Sequence, residues 1–365
     1  MSKEMKKAVL VTGSSGYIGS NLCEMLYQCG YNIIAVDKKE FVRPKEWQNT
    51  PHNHGNQWKS FKVDLTLRSE VESLISTLQH NGVTVSFIIN LAGETSIPNS
   101  LVNPVYTVGT NLLITCNVMF MVSKLNPQRF INANSCTYRC DDQDWNAYSW
   151  SKLASRKIIQ SSSLFAETVF IDMIITNPIG SLPYYANRRK SQSLEYNLMQ
   201  SIMNGVPMRV STENDGKRDE AYKRNFITIY ELLGAFMYAM TYNITCDTKV
   251  FCGVIYQNKF KQYPLSELCE YCGLQHNFQI EYRASESTGF TSIKDIDTPL
   301  IPEPDIMNYY LDNIPHEVFA FKDKIKSLAK VEELLQNREK IADNEFRYEL
   351  LLNTLLVNTN HADTV

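Results

Sequence analysis

Residues 7–20 read KAVLVTGSSGYIGS, and this stretch decides the fold class of the chain. An apolar run typical of a buried strand ends at a loop in which Gly13, Gly16 and Gly19 recur at every third position. The loop opens a helical segment that stops at Gly30. Glycine permits a tight turn, the close approach of a ligand to the backbone, and close packing of a helix on a strand. The stretch therefore predicts a strand, a glycine-rich turn and a helix.

The alternation of strand and helix continues along the first half of the chain. Short apolar runs typical of buried strands occur at 7–12, 32–36, 58–64, 84–91, 129–134 and 168–176. Between the third and fourth runs, Val71, Leu74 and Leu78 follow helical spacing and end before Asn81-Gly82. Six strands with crossover helices predict an α/β fold with a doubly wound parallel sheet of the Rossmann type.

Asp37 closes the second predicted strand and indicates what the glycine loop could hold. The N-terminus of the helix after the loop offers N–H groups and a partial positive charge to a pyrophosphate. A carboxylate at the end of the second strand can accept hydrogen bonds from both ribose hydroxyls, and it would repel a 2′-phosphate. The pattern favours NAD over NADP as the cofactor. The alternative is a structural turn followed by a surface aspartate.

Tyr148 and Lys152 form a Tyr-x-x-x-Lys pair directly after the fifth predicted strand. Residues at i and i+4 share one face of a helix, so the Lys152 ammonium can stabilise the Tyr148 phenolate and lower its pKa. Ser135, at the end of that strand, can hydrogen-bond the substrate oxygen that Tyr148 deprotonates. We interpret these three residues as a catalytic group. The alternative is an exposed helix without a chemical role.

Together these motifs resemble the extended short-chain dehydrogenase/reductases that act on nucleotide sugars, over residues 6–290. Asp64 resembles the family aspartate that reaches the adenine, residues 90–93 the loop after strand four, and Asn111 the structural asparagine on the next helix. The resemblance implies an NAD enzyme with Ser135, Tyr148 and Lys152 as its catalytic triad. The cofactor-binding residues it implies are Gly13, Gly16, Tyr17, Ile18, Gly19, Asp37, Asp64, Leu65, Leu91, Ala92, Gly93, Asn111, Tyr148 and Lys152.

Within that family, several segments are similar to the 4-epimerases of UDP-sugars. Residues 177–180, 197–199 and 212–216 resemble their Asn-Pro-x-Gly, Asn-Leu-Met and Thr-Glu-Asp-Gly motifs. The similarity implies hydride transfer at C4 of a UDP-hexose, with Arg224 on the pyrophosphate because a guanidinium binds phosphate bidentately. The substrate-binding residues it implies are Asn177, Asn197, Leu198, Arg224 and, more weakly, Arg283.

Two departures from the 4-epimerase pattern leave other functions open. Thr95 stands where these enzymes usually carry a lysine, and the segment between Ser135 and Tyr148 is short and lacks their Val-Tyr-Gly. The alternatives are a reductase, a decarboxylase, a 5-epimerase-type enzyme or a dehydratase acting on a nucleotide sugar. Cys136 and Thr137 stand where dehydratases place Asp-Glu, which disfavours dehydration. A non-catalytic NAD-sensing module is a further alternative.

The domain organisation follows from where the alternation weakens. We assign residues 1–180 to the NAD-binding domain, with 226–250 returning to it. We assign 181–225 and 251–305 to a smaller C-terminal α/β substrate lobe, and 306–365 to a helical extension with Lys/Glu-rich periodicity. The family resemblance also implies a homodimer formed through two helices, at 107–124 and 148–165.

Composition excludes some partners. The 36 basic and 39 acidic residues give a net charge of −3, which offers no attraction for nucleic acid or an anionic membrane. The apolar runs are interrupted by polar residues and are shorter than the roughly 20 residues that span a bilayer, so we expect no transmembrane helix. Nine cysteines, an odd number, indicate free thiols in a reducing compartment, and we expect a cytoplasmic protein without a metal site.

Overall fold

The computed structural model describes residues 8–48, 55–135, 146–163, 167–181, 194–212, 223–224, 226–241, 252–255 and 263–284. The elements in this part of the chain are β1 (Ala8–Thr12), α1 (Tyr17–Gln28), β2 (Asn32–Asp37), α2 (Lys45–Gln48), β3 (Trp58–Lys62), α3 (Arg68–His80), β4 (Val85–Asn90), α4 (Ile97–Val102), α5 (Pro104–Leu125), β5 (Arg129–Ser135), α6 (Ala147–Ser163), β6 (Val169–Ile175), β7 (Asn177–Ile179), α7 (Leu194–Asn204), β8 (Met208–Thr212), β9 (Lys223–Arg224), β10 (Phe226–Thr228), α8 (Ile229–Thr241), β11 (Cys252–Ile255), β12 (Tyr263–Pro264), α9 (Leu265–His276) and β13 (Ile280–Ala284).

The main sheet has seven strands in the order β11-β6-β5-β4-β1-β2-β3, and its strand pairs are parallel. The order reverses direction at β1, as a doubly wound sheet requires. The predicted fold class is confirmed, and the six predicted strands match β1 to β6, the strands of this sheet that come first along the chain. Residues 252–255 correct our domain assignment: we placed 251–305 in the smaller lobe, but β11 pairs with β6 and extends the main sheet.

Helices cover both faces of the sheet because its strands are apolar on both sides. All five residues of β1 are buried: Val9 and Val11 face the layer of α1 and α8, while Leu10 faces the layer of α3, α5 and α6. Parallel strands buried on both faces read as continuous apolar runs, which explains why the strands could be found in the sequence.

We expected no segment long and apolar enough to span a bilayer, but helix α5 is such a segment. Its 22 residues meet that test by length and composition. However, half of the segment is buried in the protein, and the helix packs against α3 and α6. The polar side chains that bond from α5 to neighbouring elements are Asn111, Thr115 and Asn117. These contacts make α5 a core-facing helix of the α/β fold.

A smaller core lies beside the main sheet, between α7, α9 and the pair β8–β13. The strands β8 and β13 are parallel, and two further short pairs are formed by β7 with β10 and by β9 with β12. Its buried side chains are Ile179, Leu198, Met208, Val210, Leu268, Cys269 and Phe278. The predicted helical extension 306–365 lies outside the described residues, as does much of the predicted lobe.

Candidate active site

The predicted cofactor and catalytic residues lie along one edge of the main sheet. Parallel strands place their carboxyl ends at the same edge, which is where ligands bind in open α/β sheets. The residues at or just beyond these strand ends are Gly13 after β1, Asp37 on β2, Asp64 after β3, Leu91 to Gly93 after β4, Ser135 on β5 and Asn177 after β6.

The glycine loop between β1 and α1 leaves no room for side chains. Gly13 has φ +67°, and a Cβ on it would lie 2.7 Å from the backbone N of Ala92. A Cβ on Gly19 would lie 2.2 Å from the carbonyl oxygen of Gly13. Gly16 begins α1 without a side-chain cap. The buried hydroxyl of Ser14 has no hydrogen-bond partner among the described residues. A bare helix N-terminus with an unpartnered hydroxyl nearby fits a pyrophosphate.

Asp37 and Asp64 are both held by backbone N–H groups of the turns around them. Asp37 accepts hydrogen bonds from the N–H of Ser15 at 3.0 Å and of Lys39 at 2.9 Å, one on each carboxylate oxygen. Each oxygen can accept more than one hydrogen bond, so the carboxylate remains able to accept from ribose hydroxyls.

In the turn after β3, Asp64 accepts hydrogen bonds from the side chain and the backbone of Thr66. These bonds lower the pKa of the Asp64 carboxyl. The carbonyl of Leu65 accepts a hydrogen bond from Asn117 on α5 at 2.8 Å. The turn is therefore fixed in place from both sides.

Helix α6 presents Tyr148 and Lys152 to the end of β5. The Lys152 Nζ lies 5.8 Å from the centre of the Tyr148 ring and donates a hydrogen bond to the carbonyl of Ala133 at 3.1 Å. Ser135, two residues further along β5, is buried, as is Tyr148. Burial lowers the pKa of Lys152 to about 8, and the charge of Asp172 opposes this shift. The structure thus brings the strand end that carries Ser135 together with the predicted tyrosine and lysine.

Asn111 joins the loop after β4 to α6. Its Oδ1 accepts a hydrogen bond from the N–H of Glu94 at 2.7 Å, and its Nδ2 donates to the carbonyl of Glu94 and to Ser151 Oγ. A Cβ on Gly93 would lie 3.0 Å from Asn111 Oδ1 and 3.9 Å from Lys152 Nζ. Asn111 therefore acts on the site through protein contacts that set the loop and the helix beside each other.

The turn after β7 is tied to α1, the helix that follows the glycine loop. The Tyr17 hydroxyl donates a hydrogen bond to the carbonyl of Gly180, and Ser181 Oγ donates to Asn21 Oδ1 at 3.0 Å. Both bonds connect α1 to the segment that carries Asn177. As a result, the predicted substrate turn and the glycine loop hold a fixed relative position.

The other predicted substrate residues lie in the smaller lobe. Asn197 is exposed on α7, while the Leu198 side chain is completely buried in the lobe core and offers no surface to a ligand. Arg224 lies on β9, where it pairs with Tyr263, and Arg283 lies on β13 opposite Ser211. The side chains of both arginines lie outside the part of the chain that the structure describes.

Comparison with known proteins places this site in a family. The profile of the NAD dependent epimerase/dehydratase family matches residues 9–244, from β1 through α8. The chain belongs to this family. The resemblance inferred from the glycine spacing and the Tyr-x-x-x-Lys pair is thereby confirmed.

Individual family members are similar to this chain at low identity. UDP-glucose 4-epimerase 2 of Arabidopsis thaliana is 26% identical over 151 residues, which cover 40% of this chain and 39% of that protein. UDP-glucuronic acid decarboxylase 1 of Danio rerio is 27% identical over 138 residues, which cover 38% of this chain and 30% of that protein. The chain thus spans well under half the length of both relatives in these matches.

A solved family structure extends the likeness at the level of fold. UDP-glucose 4-epimerase of Thermus thermophilus, in complex with NAD, superposes with a TM-score of 0.62 at 17% identity, covering 83% of this chain and 92% of that chain. At such low identity the superposition supports the fold alone. It agrees with the doubly wound sheet described above.

The sequence patterns missed several residues that organise this family member's site. Asn134 and Asp172 lie next to the predicted catalytic residues, Arg156 follows Lys152 by one helical turn, and Asn117 holds the turn after β3. One signal was visible: Asp172 is a charged residue inside the otherwise apolar run VFIDMII. A buried charge in a central strand requires partners, and those partners come from other elements.

Proposed function

We propose that this chain is an NAD-dependent nucleotide-sugar epimerase that inverts the C4 hydroxyl of a UDP-sugar. One observation carries the proposal: Tyr148 and Lys152 lie on one face of α6 against the strand end that carries Ser135. Membership of the NAD dependent epimerase/dehydratase family supports it. The identity of the sugar and of the nucleotide forms part of the proposal.

The residues that would hold NAD are those of the glycine cradle and the strand ends. The loop from Gly13 to Gly19 would take the pyrophosphate, Asp37 a ribose, and the turn at Asp64 and Leu65 the adenine. Leu91, Ala92 and Gly93 would lie along the nicotinamide half, beside Lys152. When bound, NAD⁺ would accept a hydride from C4 of the sugar and return it to the opposite face.

The chain's own residues would move the proton at O4. Tyr148, as the phenolate, would remove the proton from the C4 hydroxyl while Ser135 donates a hydrogen bond to the same oxygen. The Lys152 ammonium favours the phenolate by its charge. After the 4-keto sugar has turned over, Tyr148 would return the proton to O4. The reaction is redox-neutral, since the sugar regains both the hydride and the proton.

The smaller lobe would hold the nucleotide part of the substrate. Asn177 and Asn197 would offer hydrogen bonds to the sugar and the phosphates. Arg224 would bind the pyrophosphate through its two parallel N–H groups, with Arg283 as a second cation. This arrangement would leave C4 of the sugar at the main sheet and its nucleotide in the lobe.

Decarboxylation of UDP-glucuronic acid is a second candidate function. The chain is 27% identical to UDP-glucuronic acid decarboxylase 1 of Danio rerio and 26% identical to the plant epimerase, so sequence identity does not separate the two functions. Tyr148 would again take the proton of the C4 hydroxyl while NAD⁺, when bound, takes the C4 hydride. The 4-keto sugar would then be a β-keto acid through its carboxyl group at C5, and such acids lose CO₂ readily. The two functions therefore share Tyr148 and differ in the groups around the sugar.

An NMR assay with candidate substrates tests both functions. The purified chain, supplied with NAD⁺, is incubated separately with UDP-galactose, UDP-glucuronic acid and dTDP- and GDP-hexoses, and the products are followed by NMR. We expect UDP-galactose to convert to UDP-glucose without net reduction of NAD⁺, and denatured protein to release NAD(H). Loss of CO₂ from UDP-glucuronic acid alone would favour the decarboxylase. Binding of NAD without turnover of any sugar, or release of NADP(H), would contradict the proposal.

We also propose that the protein is a homodimer, with the interface on α4, α5 and α6. These helices carry large apolar side chains that are exposed in the single chain, a pattern typical of an interaction surface. The exposed side chains are Leu101, Val102, Val105, Tyr106, Leu113 and Trp150. Val105 is 82% exposed, far beyond what an apolar core position shows.

Two charged substitutions test the dimer. We expect Leu113→Glu combined with Trp150→Glu to convert the dimer to a monomer, because two buried carboxylates per subunit would lose their hydration at the interface. Light scattering at micromolar concentration measures the mass. The matched control is Leu274→Glu, where the side chain is 85% exposed and lies on α9, outside the three helices of the proposed interface. A wild-type mass equal to one chain would refute the proposal.

A further inference from the structure

A row of buried polar side chains crosses the main sheet beneath the candidate active site. The four residues Thr12, Asn90, Asn132 and Asp172 are partners in the strand register, on β1, β4, β5 and β6. Each side chain donates a hydrogen bond to the next one along the row. Thr12 Oγ1 donates to Asn90 Oδ1 at 2.7 Å, and Asn90 Nδ2 donates to Asn132 Oδ1 at 2.9 Å. Asn132 Nδ2 in turn donates to Asp172 Oδ1 at 2.9 Å. The row thus ends on a carboxylate.

Asp172 is completely buried, and the hydrogen bonds it receives fit the ionised carboxylate. Besides Asn132, its oxygens accept from Asn134 Nδ2 at 2.8 Å and from Arg156 Nη1 at 3.2 Å. A carboxylate that accepts from three donors is stabilised in its charged form. Burial raises the pKa of Asp172, and the two amides and the Arg156 guanidinium oppose that rise.

Asn134 connects this carboxylate to the end of β5 through two hydrogen bonds. Its Nδ2 donates to Asp172, and its Oδ1 accepts from the N–H of Ser135 at 2.8 Å. On the other side, Arg156 lies one turn after Lys152 on α6 and pairs with the same carboxylate. The strand that carries Ser135 and the helix that carries Tyr148 and Lys152 therefore share one buried anchor.

We propose that Asp172 is a positioning residue for the reacting groups, holding Ser135 through Asn134 and the reactive face of α6 through Arg156. A buried ion pair is seldom more stabilising than apolar packing of the same volume, so stability alone gives a weak reason for a charge here. The reactive roles of Ser135, Tyr148 and Lys152 rest on the proposed function. The charge relation between Asp172 and Lys152 is independent of it.

The charged and titratable groups near Lys152 in the described residues are few. Tyr148 and Arg156 lie on its own helix, and Asp172 faces it from β6. The neighbouring side chains Asn111 on α5 and Asn134 on β5 are neutral. Asp172 is thus the anion that holds the proton on Lys152 against the effect of burial. Removing this anion should release the Lys152 proton at a lower pH.

Competitive labelling measures this directly in the full chain, without substrate. Acetic anhydride acetylates Lys152 only when its amine is neutral, so the extent of labelling against pH, read by mass spectrometry, gives its titration midpoint. For Asp172→Asn we expect a midpoint lower by about one pH unit, a shift of the size that one close charge produces. Arg156→Gln removes the cation that shares the carboxylate and should move the midpoint the other way.

Glu24→Gln is the matched control. Glu24 is as completely buried as Asp172, and its partner Arg43 is about as exposed as Arg156, but this ion pair lies between α1 and the segment after β2. We expect Glu24→Gln to lower the unfolding temperature and leave the Lys152 midpoint unchanged. If Asp172→Asn left the midpoint unchanged, or Glu24→Gln moved it equally, the positioning role would be overturned.

A second readout uses turnover. Above the midpoint of Lys152 the ammonium charge is lost, so the alkaline limb of the pH–rate profile should move to lower pH in Asp172→Asn. If Asp172→Asn does not fold, Arg156→Gln alone tests the inference by its opposite shift. An absence of turnover in the wild type would count against the proposed function, whereas the labelling result would still decide the role of Asp172.

Discussion

Replacement of Tyr148 by phenylalanine is expected to lower sugar turnover by about a hundredfold or more, the usual contribution of one positioned acid–base group. The phenyl ring keeps the volume of a buried side chain and removes the hydroxyl that would take the proton from O4. Calorimetry should show nearly unchanged binding of NAD and of the UDP-sugar. Retention of more than about a tenth of the wild-type rate would exclude Tyr148 as the base.

Lys152→Met provides the companion measurement. Without the ammonium the phenolate loses its stabilising charge, so the rate should rise with pH at a higher midpoint than in the wild type. In the wild type we expect that midpoint well below the value of about 10 for a free phenol. A pH–rate series on the wild type and both variants separates loss of the base from loss of the charge that tunes it. An unmoved profile in Lys152→Met would contradict this assignment.

Gly19→Ala is expected to weaken NAD binding by about ten- to a hundredfold, since overpacking costs about 1–3 kcal/mol and each 1.4 kcal/mol is tenfold in affinity. The added Cβ would lie 2.2 Å from the Gly13 carbonyl oxygen and 2.8 Å from the Ser14 Cα, both backbone atoms. The loop must therefore move away from α1, which changes the cradle offered to the pyrophosphate. Calorimetric titration with NAD measures the effect.

Gly109→Ala is the control for this substitution. It lies on α5, and a Cβ there meets nothing within 4 Å. Gly109 lies one helical turn from both Val105 and Leu113, on the proposed dimer surface, so the control is judged by its NAD affinity alone, which should be unchanged. If Gly19→Ala bound NAD as tightly as Gly109→Ala, the glycine loop could not be the pyrophosphate site.

The sequence by itself determined the parallel sheet and much of the candidate site. Strands buried on both faces carry continuous apolar runs, so β1, β2 and β4 were recognisable without their partners. Gly16 and Gly19 are local requirements of one turn, and Tyr148 and Lys152 share a face through helical periodicity alone. The carboxyl ends of parallel strands meet at one edge, which explains why motifs placed after different strands lie together in the structure.

The tertiary structure alone decided what surrounds these motifs. The pairing of β11 with β6 and the burial of Leu198 depend on contacts between segments far apart in the chain. The same holds for Asp172, whose partners Asn132, Asn134 and Arg156 come from a neighbouring strand and a helix. The sequence marks Asp172 as a charge in an apolar strand. Its partners are set by lateral register and helix packing, which place side chains together regardless of their separation in the chain.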